Sequence, residues 1–185
     1  KFEKAIRSFN QALNSDSSLT DAIYQTGLAN AGLGRDEKAL QSFDRVLQLT
    51  PQNATISFMQ ALSLVKLHRQ DEALQALESS LNLDSTNAEA WLLKGTVLFE
   101  IERISEALEA FERAIELAPD NNTAWYRKGK AYIELGKSPE AIACFDHVLS
   151  NDPSCAPAWL RKGSTLLSLS QYEPAVEALT RALEI

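Results

Sequence analysis

Residues 122–153 read NTAWYRKGKAYIELGKSPEAIACFDHVLSNDP. Two helical patterns lie inside this stretch. Trp125, Gly129 and Tyr132 recur at spacings of four and three, so they share one face of a first helix. Ala141, Ile142, Phe145, Val148 and Leu149 do the same on a second. The link Leu135-Gly136-Lys137-Ser138-Pro139 reads as helix end, turn and new start. Gly136 suits a left-handed C-terminal cap, Ser138 an N-cap and Pro139 a first helical position. Pro153 ends the second helix, because it has no N–H to donate and its ring clashes with the preceding turn.

Working outward, the same grammar recurs in phase. Ala5, Ala39, Ala73, Ala107, Ala141 and Ala175 step by 34 residues without insertion or deletion. A second series reads Gly27, Ala61, Gly95, Gly129, Gly163, and a third Ile23, Ser57, Trp91, Trp125, Trp159. A fixed period of this length marks one supersecondary unit copied along an axis, each copy touching its neighbours. The pattern predicts helices over 2–14, 20–33, 36–49, 54–67, 70–83, 88–101, 104–117, 122–135, 138–151, 156–169 and 172–185, and no strand. The expected organisation is a single all-α array. Residues 1–19 supply the second helix of a partial unit, 20–53, 54–87, 88–121 and 122–155 are full units, and 156–185 is nearly complete.

The small-residue series have a mechanical reading. Two helices joined by a tight turn approach closely only where side chains are small, so Gly95 and Ala107 mark a close crossing. Trp91, Phe111 and Ile115 fill the space around it. Asn53, Asn87 and Asn121 precede first helices and read as N-caps, which explains the Asn53-Ala54-Thr55 and Asn121-Asn122-Thr123 sequons without glycosylation.

Bulk properties exclude several functions. The chain has 185 residues, a formal net charge of -7 and a pI near 4.9. Nonspecific nucleic-acid binding relies on Lys and Arg against phosphate, so no nucleic-acid partner is expected. No apolar run approaches the roughly 20 residues of a membrane span, so no membrane partner is expected either. Cys144 and Cys155 form no metal or redox spacing and read as free thiols of a cytoplasmic protein. The chain opens at Lys1 in mid-repeat and stops at Ile185 just short of completing another, so a piece of a longer array is expected.

The period, with Trp followed four residues later by Gly, then an aromatic or Leu, Ala, Phe and Pro, resembles the tetratricopeptide repeat. Trp125, Gly129, Tyr132, Ala141, Phe145 and Pro153 fill these slots in one unit. Trp91, Gly95, Leu98, Ala107, Phe111, Ala114 and Pro119 fill them in another. The 54–87 unit departs, with Ser57, Ala61, Leu77, Ser80 and Ser85 where the family prefers Trp, Gly, Phe, Ala and Pro, and is expected to be softer. Lys94, Lys128 and Lys162 stand where the family often has Leu. Their stems are expected to lie along apolar surface and their ammonium groups over the Trp rings. The resemblance implies a right-handed superhelical α-solenoid of antiparallel helix pairs, with first helices lining a concave groove that holds a peptide or helix of a partner protein.

Helical geometry selects the residues opposite each Trp/Gly stripe as the groove lining. Tyr24, Leu28, Phe58, Met59, Leu62, Leu92 and Leu93 form an apolar stretch, and Tyr126, Arg127, Lys130 and Arg161 a basic patch toward the C-terminal side. Apolar surface of this extent marks an interaction site. The set predicts a ligand with apolar anchors at one end and an acidic group at the other. The alternatives are that adjacent first helices bury the apolar residues, and that the basic ones are ordinary solvated surface. Two sub-types of the family are excluded by the residues. The clamp slots of chaperone-tail binders carry Tyr24, Leu28, Met59, Glu89 and Leu93, and the asparagine-ladder slots of sugar transferases carry Gln25, Met59, Leu93, Arg127 and Arg161.

No catalytic constellation is present, and neither a cofactor nor a metal is expected. His68 falls in a turn and His147 on an outer helix beside Asp146, both read as surface residues. Gly32-Leu33-Gly34 reads as a helix-ending turn rather than a phosphate loop, since no strand precedes it. The expected function is a non-enzymatic protein-interaction scaffold. Two alternatives stand beside it. One is the recognition region of a larger enzyme such as a transferase. The other is a module that self-associates through Val176, Leu179 and Leu183, which no following helix covers.

Overall fold

The computed structural model describes residues 2–16 and 19–185, apart from the side chains at 2, 5, 10 and 12–15. The side chain of Ala5, first of the alanine series, is therefore outside the described set, as are residues 1, 17 and 18 of the expected 1–19 segment. The described residues form α1 (Phe2–Ser15), α2 (Thr20–Gly32), α3 (Asp36–Leu49), α4 (Ala54–Lys66), α5 (Gln70–Leu83), α6 (Ala88–Glu100), α7 (Ile104–Leu117), α8 (Asn122–Glu134), α9 (Ser138–Asn151), α10 (Ala156–Ser168) and α11 (Tyr172–Glu184). Each bound lies within one residue of the sequence expectation.

The chain divides into two compact units, Lys1–Ala90 and Trp91–Ile185. Each is an all-α solenoid of paired antiparallel helices: α2 packs on α3 and α4 on α5 in the first, α8 on α9 and α10 on α11 in the second. A stack of hairpins has no common centre, so packing is local and a chain of this kind divides between neighbouring elements.

The pairing is set by the small-residue series. A Cβ on Gly95 would stand 2.6 Å from the Phe111 ring and 3.1 Å from the Ala107 carbonyl oxygen. A Cβ would likewise stand 2.6 Å from Phe43 at Gly27, 2.7 Å from Phe145 at Gly129 and 2.7 Å from Leu179 at Gly163. In the 54–87 unit Ala61 takes the glycine position and Leu77 the phenylalanine position, and both are fully buried. There the extra methyl is matched by a smaller partner. Ser80, also buried, donates its hydroxyl to the Ala54 carbonyl at 2.8 Å, so the polar substitution carries its own hydrogen bond.

The turns repeat as well. Gly34 and Gly136 have φ of +69° and +70°. The same position in the other units holds His68, Glu102 and Ser170, at φ 56°, 63° and 59°. Asn53, Asn87 and Asn121 act as N-caps as expected, accepting from the amides of Ile56, Ala90 and Ala124 at 3.0–3.1 Å. Ser138 does not. Lys137 occupies the cap position, and α9 already includes Ser138 with Pro139 in its first turn. The tight link after Gly136 starts the helix one residue earlier than the Ser-Pro signal implies. In equivalent links Arg69 and Arg103 take the cap position, each forking onto the Glu three residues on, at 2.5–2.7 Å.

Candidate interaction face

First-helix residues opposite the packing stripe are of two kinds, those held by packing and those left open. In the 1–90 unit, Tyr24, Leu28 and Met59 are half-buried against a cluster of Ile23, Ala39, Phe43, Val46 and Ile56. The Tyr24 and Phe43 ring centroids are 6.3 Å apart at 50°. Leu62 is half-buried. Phe58 is only 7% exposed, so this anchor of the sequence reading takes the alternative course and is consumed by packing. Periodicity reports the direction a residue takes around its own helix, and that direction is occupied at Phe58.

In the 91–185 unit, Leu92 and Leu93 on α6 are half-buried. The Thr96 hydroxyl bonds back to the Leu92 carbonyl at 2.8 Å, so a buried polar group is satisfied within its own helix. Lys130 on α8 places its ammonium 5.1 Å from the Phe99 ring centroid on α6. Tyr126 stands 5.7 Å from the Phe145 ring, and with Trp125 and Trp159 it packs around Val148, Leu149 and Ala158. That cluster joins α8 and α10 through Val148 and Leu149 of α9. Arg127 is half-buried and Arg161 exposed.

The structure joins two of the sequence-selected residues, Tyr126 and Arg161, in one cleft. Ala156, Pro157, Leu160, Leu179, Ala182 and Leu183 complete its lining, and its volume is about 580 Å³. Arg161 is the single charged group in this wall. Leu160 is 52% and Leu183 88% exposed, so the cleft offers apolar surface to an incoming group. A second, smaller cleft adjoins it through Tyr126 and Pro157 and adds Asn122, Thr123, Val148, Asp152 and Cys155. Leu179 and Leu183 on α11, expected from sequence as a self-association surface, stand instead in this wall opposite Tyr126 and Arg161, and Ala182 joins them.

The back of α6, α8 and α10 carries a repeated Trp/Lys set. Trp125 donates its indole N–H to the Pro119 carbonyl at 2.8 Å, and Trp159 donates to Pro153 at 2.9 Å. Lys94, Lys128 and Lys162 lie 5.5, 5.6 and 5.3 Å from the Trp91, Trp125 and Trp159 rings, as expected from sequence. Lys128 pairs with Glu112 at 3.0 Å and Lys162 with Asp146 at 2.6 Å. Burial pulls the Lys128 ammonium down most strongly as a single influence, but the hydrogen bond and charge of Glu112 together outweigh it and its pKa is raised. These lysines serve the scaffold.

His68 is exposed in its turn. His147 differs from the surface reading: its ring stacks on Trp125, centroids 4.1 Å apart, with Nδ1 buried. Cys144 is buried and its thiol is pushed up to about 11 by burial, and Cys155 is half-buried at the start of α10; both are free. Among the described residues no group of three or more His, Cys, Asp or Glu side chains is placed to hold a metal ion. No helix among them is long and apolar enough to cross a membrane.

Comparison with known proteins bears on the repeat and the fold. Family models described as tetratricopeptide repeat match residues 1–54 and 58–122, 98–162, and 156–185. No curated protein matches the chain in sequence. Among solved structures it resembles MamA, at 25% identity over 85% of this chain and 92% of that one, with a TM-score of 0.83. It also resembles YrrB, described as a TPR protein with an unusual peptide-binding site, at 26% identity over 95% and 91% of the two chains, with a TM-score of 0.82. The Pseudomonas aeruginosa pilF structure shares the fold at 22% identity, 91% and 77% coverage and a TM-score of 0.78.

Proposed function

This chain belongs to the tetratricopeptide repeat family, a class of protein-interaction scaffolds, and from that premise we propose that the first-helix face of the 91–185 unit binds a peptide segment of a partner protein. The observation that carries the reading is the cleft holding Tyr126 and Arg161 together: an apolar wall with one cation and no carboxylate. Pockets with a predominantly apolar lining and few placed polar groups are the usual shape of a ligand site. YrrB, similar over most of its length, is described as having a peptide-binding site, which supports the same use here. Leu92, Leu93, Arg127 and Lys130, on α6 and α8, belong to the proposed ligand face by their positions around those helices.

The test is capture of partners from an extract of the source cells by the chain and by a Tyr126→Ala, Arg127→Gln, Arg161→Gln variant. The variant is expected to keep its helical circular dichroism and lose the partners retained by the parent. Equal capture by both would place binding elsewhere. Phe58 is left intact in this test, since its truncation would report packing.

A second reading, self-association, is favoured by Val176 and Leu183 on α11, 62% and 88% exposed. Light scattering over a concentration series distinguishes it, because Leu183→Glu should then lower the mass observed at high concentration.

A further inference from the structure

The α2/α3 hairpin departs from the later ones on its back. Ile23 and Thr26 on α2 stand where α6 has Trp91 and Lys94, so the bulk that fills this space on α6 is missing. Lys38 on α3 stands where α5 has Glu72 and α7 has Glu106, the carboxylates onto which Arg69 and Arg103 fork. A cavity of about 480 Å³ opens here, within the 1–90 unit. Arg35, Lys38, Gln41, Ser42 and Arg45 line it from the start and one face of α3, and among the described residues no carboxylate lines it. The cavities at the equivalent place in the next two hairpins are smaller, about 290 and 350 Å³, and both carry carboxylates: Asp44 and Glu72 in one, Glu106, Glu109, Glu112 and Glu116 in the other. The acidic residues of α3 are engaged elsewhere. Asp36 pairs with Lys66 at 3.6 Å, Asp44 accepts from Gln60 at 2.7 Å and Glu37 lends its charge to Arg69. One carboxylate reaches the cluster from α1. Glu3 accepts from Arg35 at 2.5 Å, and its pKa is lowered by that hydrogen bond and charge first, then by the charges of Arg7 and Lys38. The cluster therefore already holds an oxyanion at one end.

We propose that this cavity binds a chain of phosphate groups, as in an inorganic oligophosphate or a nucleoside triphosphate, laid along α3 from Arg35 past Lys38 to Arg45. The site is separate from the peptide-binding face and stands or falls without it. Arg35 and Arg45 are ten residues apart in the sequence, about 15 Å along the helix axis. A lone carboxylate such as that of Glu3 meets one end of this row, whereas linked phosphates present charge along it. Arginine forks match phosphate oxygens with paired hydrogen bonds, and lysine adds a point charge between them. Thr26 and Ser42 donate their hydroxyls to the Ala22 and Lys38 carbonyls, at 2.8 and 3.0 Å. Recognition therefore rests on the three cations and the Gln41 amide. The volume suits a small molecule, whose pockets run to about 300–1,000 Å³. An entering phosphate takes the place of Glu3 on Arg35.

The experiment is isothermal titration calorimetry of the whole chain at low ionic strength with sodium tripolyphosphate, metal-free ATP and orthophosphate. Tripolyphosphate or ATP should occupy one site at least about tenfold more tightly than orthophosphate. The tighter of the two identifies an inorganic chain or a nucleotide as the ligand. Lys38→Glu gives this hairpin the Arg/Glu pair that α5 and α7 already carry, so it should keep the parent's helical circular dichroism while losing affinity at least about tenfold. Arg113→Glu makes the same change of net charge at the carboxylate-lined cavity of α7 and should leave the affinity unchanged. Glu3→Gln removes the internal competitor and should tighten binding about threefold. Absence of saturable binding by both tripolyphosphate and ATP would overturn the proposal. So would orthophosphate binding as tightly as either, or Lys38→Glu and Arg113→Glu weakening the affinity equally. Weaker binding in Glu3→Gln would overturn the exchange of Glu3 for phosphate on Arg35.

Discussion

Gly95 on α6 and Phe111 on α7 are in such close approach that a Cβ on the glycine would stand 2.6 Å from the ring. The relationship recurs 34 residues on at Gly129 and Phe145, at 2.7 Å, and is resolved differently at Ala61, which faces the helix bearing Leu77. Gly95→Ala is therefore expected to destabilise the chain by roughly 1–3 kcal/mol through overpacking. Phe111→Leu in the same chain should recover part of that loss, since the Ala/Leu combination already exists in the 54–87 unit. A double-mutant cycle by urea unfolding checks the coupling; strictly additive losses would mean the two side chains do not share the space.

Glu102 and Ser170 hold left-handed backbone at φ 63° and 59°, where Gly34 and Gly136 stand in other units. A side chain there costs of order 1 kcal/mol. Glu102→Gly and Ser170→Gly should each raise the midpoint of chemical unfolding by an amount equivalent to about 1 kcal/mol, and Gly136→Ala should lower it similarly. A fall in stability on Glu102→Gly would show that its side chain repays the strain.

Trp159 donates its indole N–H to the Pro153 carbonyl at 2.9 Å while Lys162 lies over its ring at 5.3 Å. Trp159→Phe removes the donor and keeps an aromatic face. The expected loss is about 1 kcal/mol, the net value of one such bond. Trp159→Ala should cost roughly 3–5 kcal/mol by deleting the packing as well. Similar losses for the two variants would assign the whole effect to the hydrogen bond.

Cys144 is buried, and that burial pushes its thiol up to about 11 from 9.0. The folded state therefore keeps the proton that the unfolded chain releases first. Stability from this group is complete below pH 9 and declines between pH 9 and 11, by up to about 3 kcal/mol. Cys144→Ala should remove that part of the alkaline decline. In the native chain a thiol reagent at neutral pH should modify Cys155 and spare Cys144, read by mass spectrometry of peptides; equal labelling would place Cys144 within reach of solvent.

Nearly all of the helical framework was legible beforehand. The alanine, glycine and tryptophan series put every helix bound within one residue, and the Asn caps and the Lys-over-Trp contacts followed from their positions. Ser138 was misread as a cap because a Ser-Pro pair signals a helix start without stating the length of the turn before it. His147 was misread as surface because its own helix exposes it, while Trp125 on α8 covers its ring. The candidate site was legible in part: Tyr126 and Arg161 were named from helical geometry as groove lining, whereas Leu179 and Leu183 were named only as a self-association surface and Ala182 not at all.

By itself, the sequence determined that this protein is a series of helical hairpins, where each helix begins and ends, and which stripe of each faces its partner. Those features depend on spacings within one or two adjacent helices, which a 34-residue recurrence states directly. Only the tertiary structure decided that Phe58 is spent on packing while Leu160 and Leu183 stay open, and that Tyr126 and Arg161 border a common cleft. Exposure depends on how a neighbouring helix is offset and how much side-chain volume it brings, and neither quantity is written in the period of the helix being read.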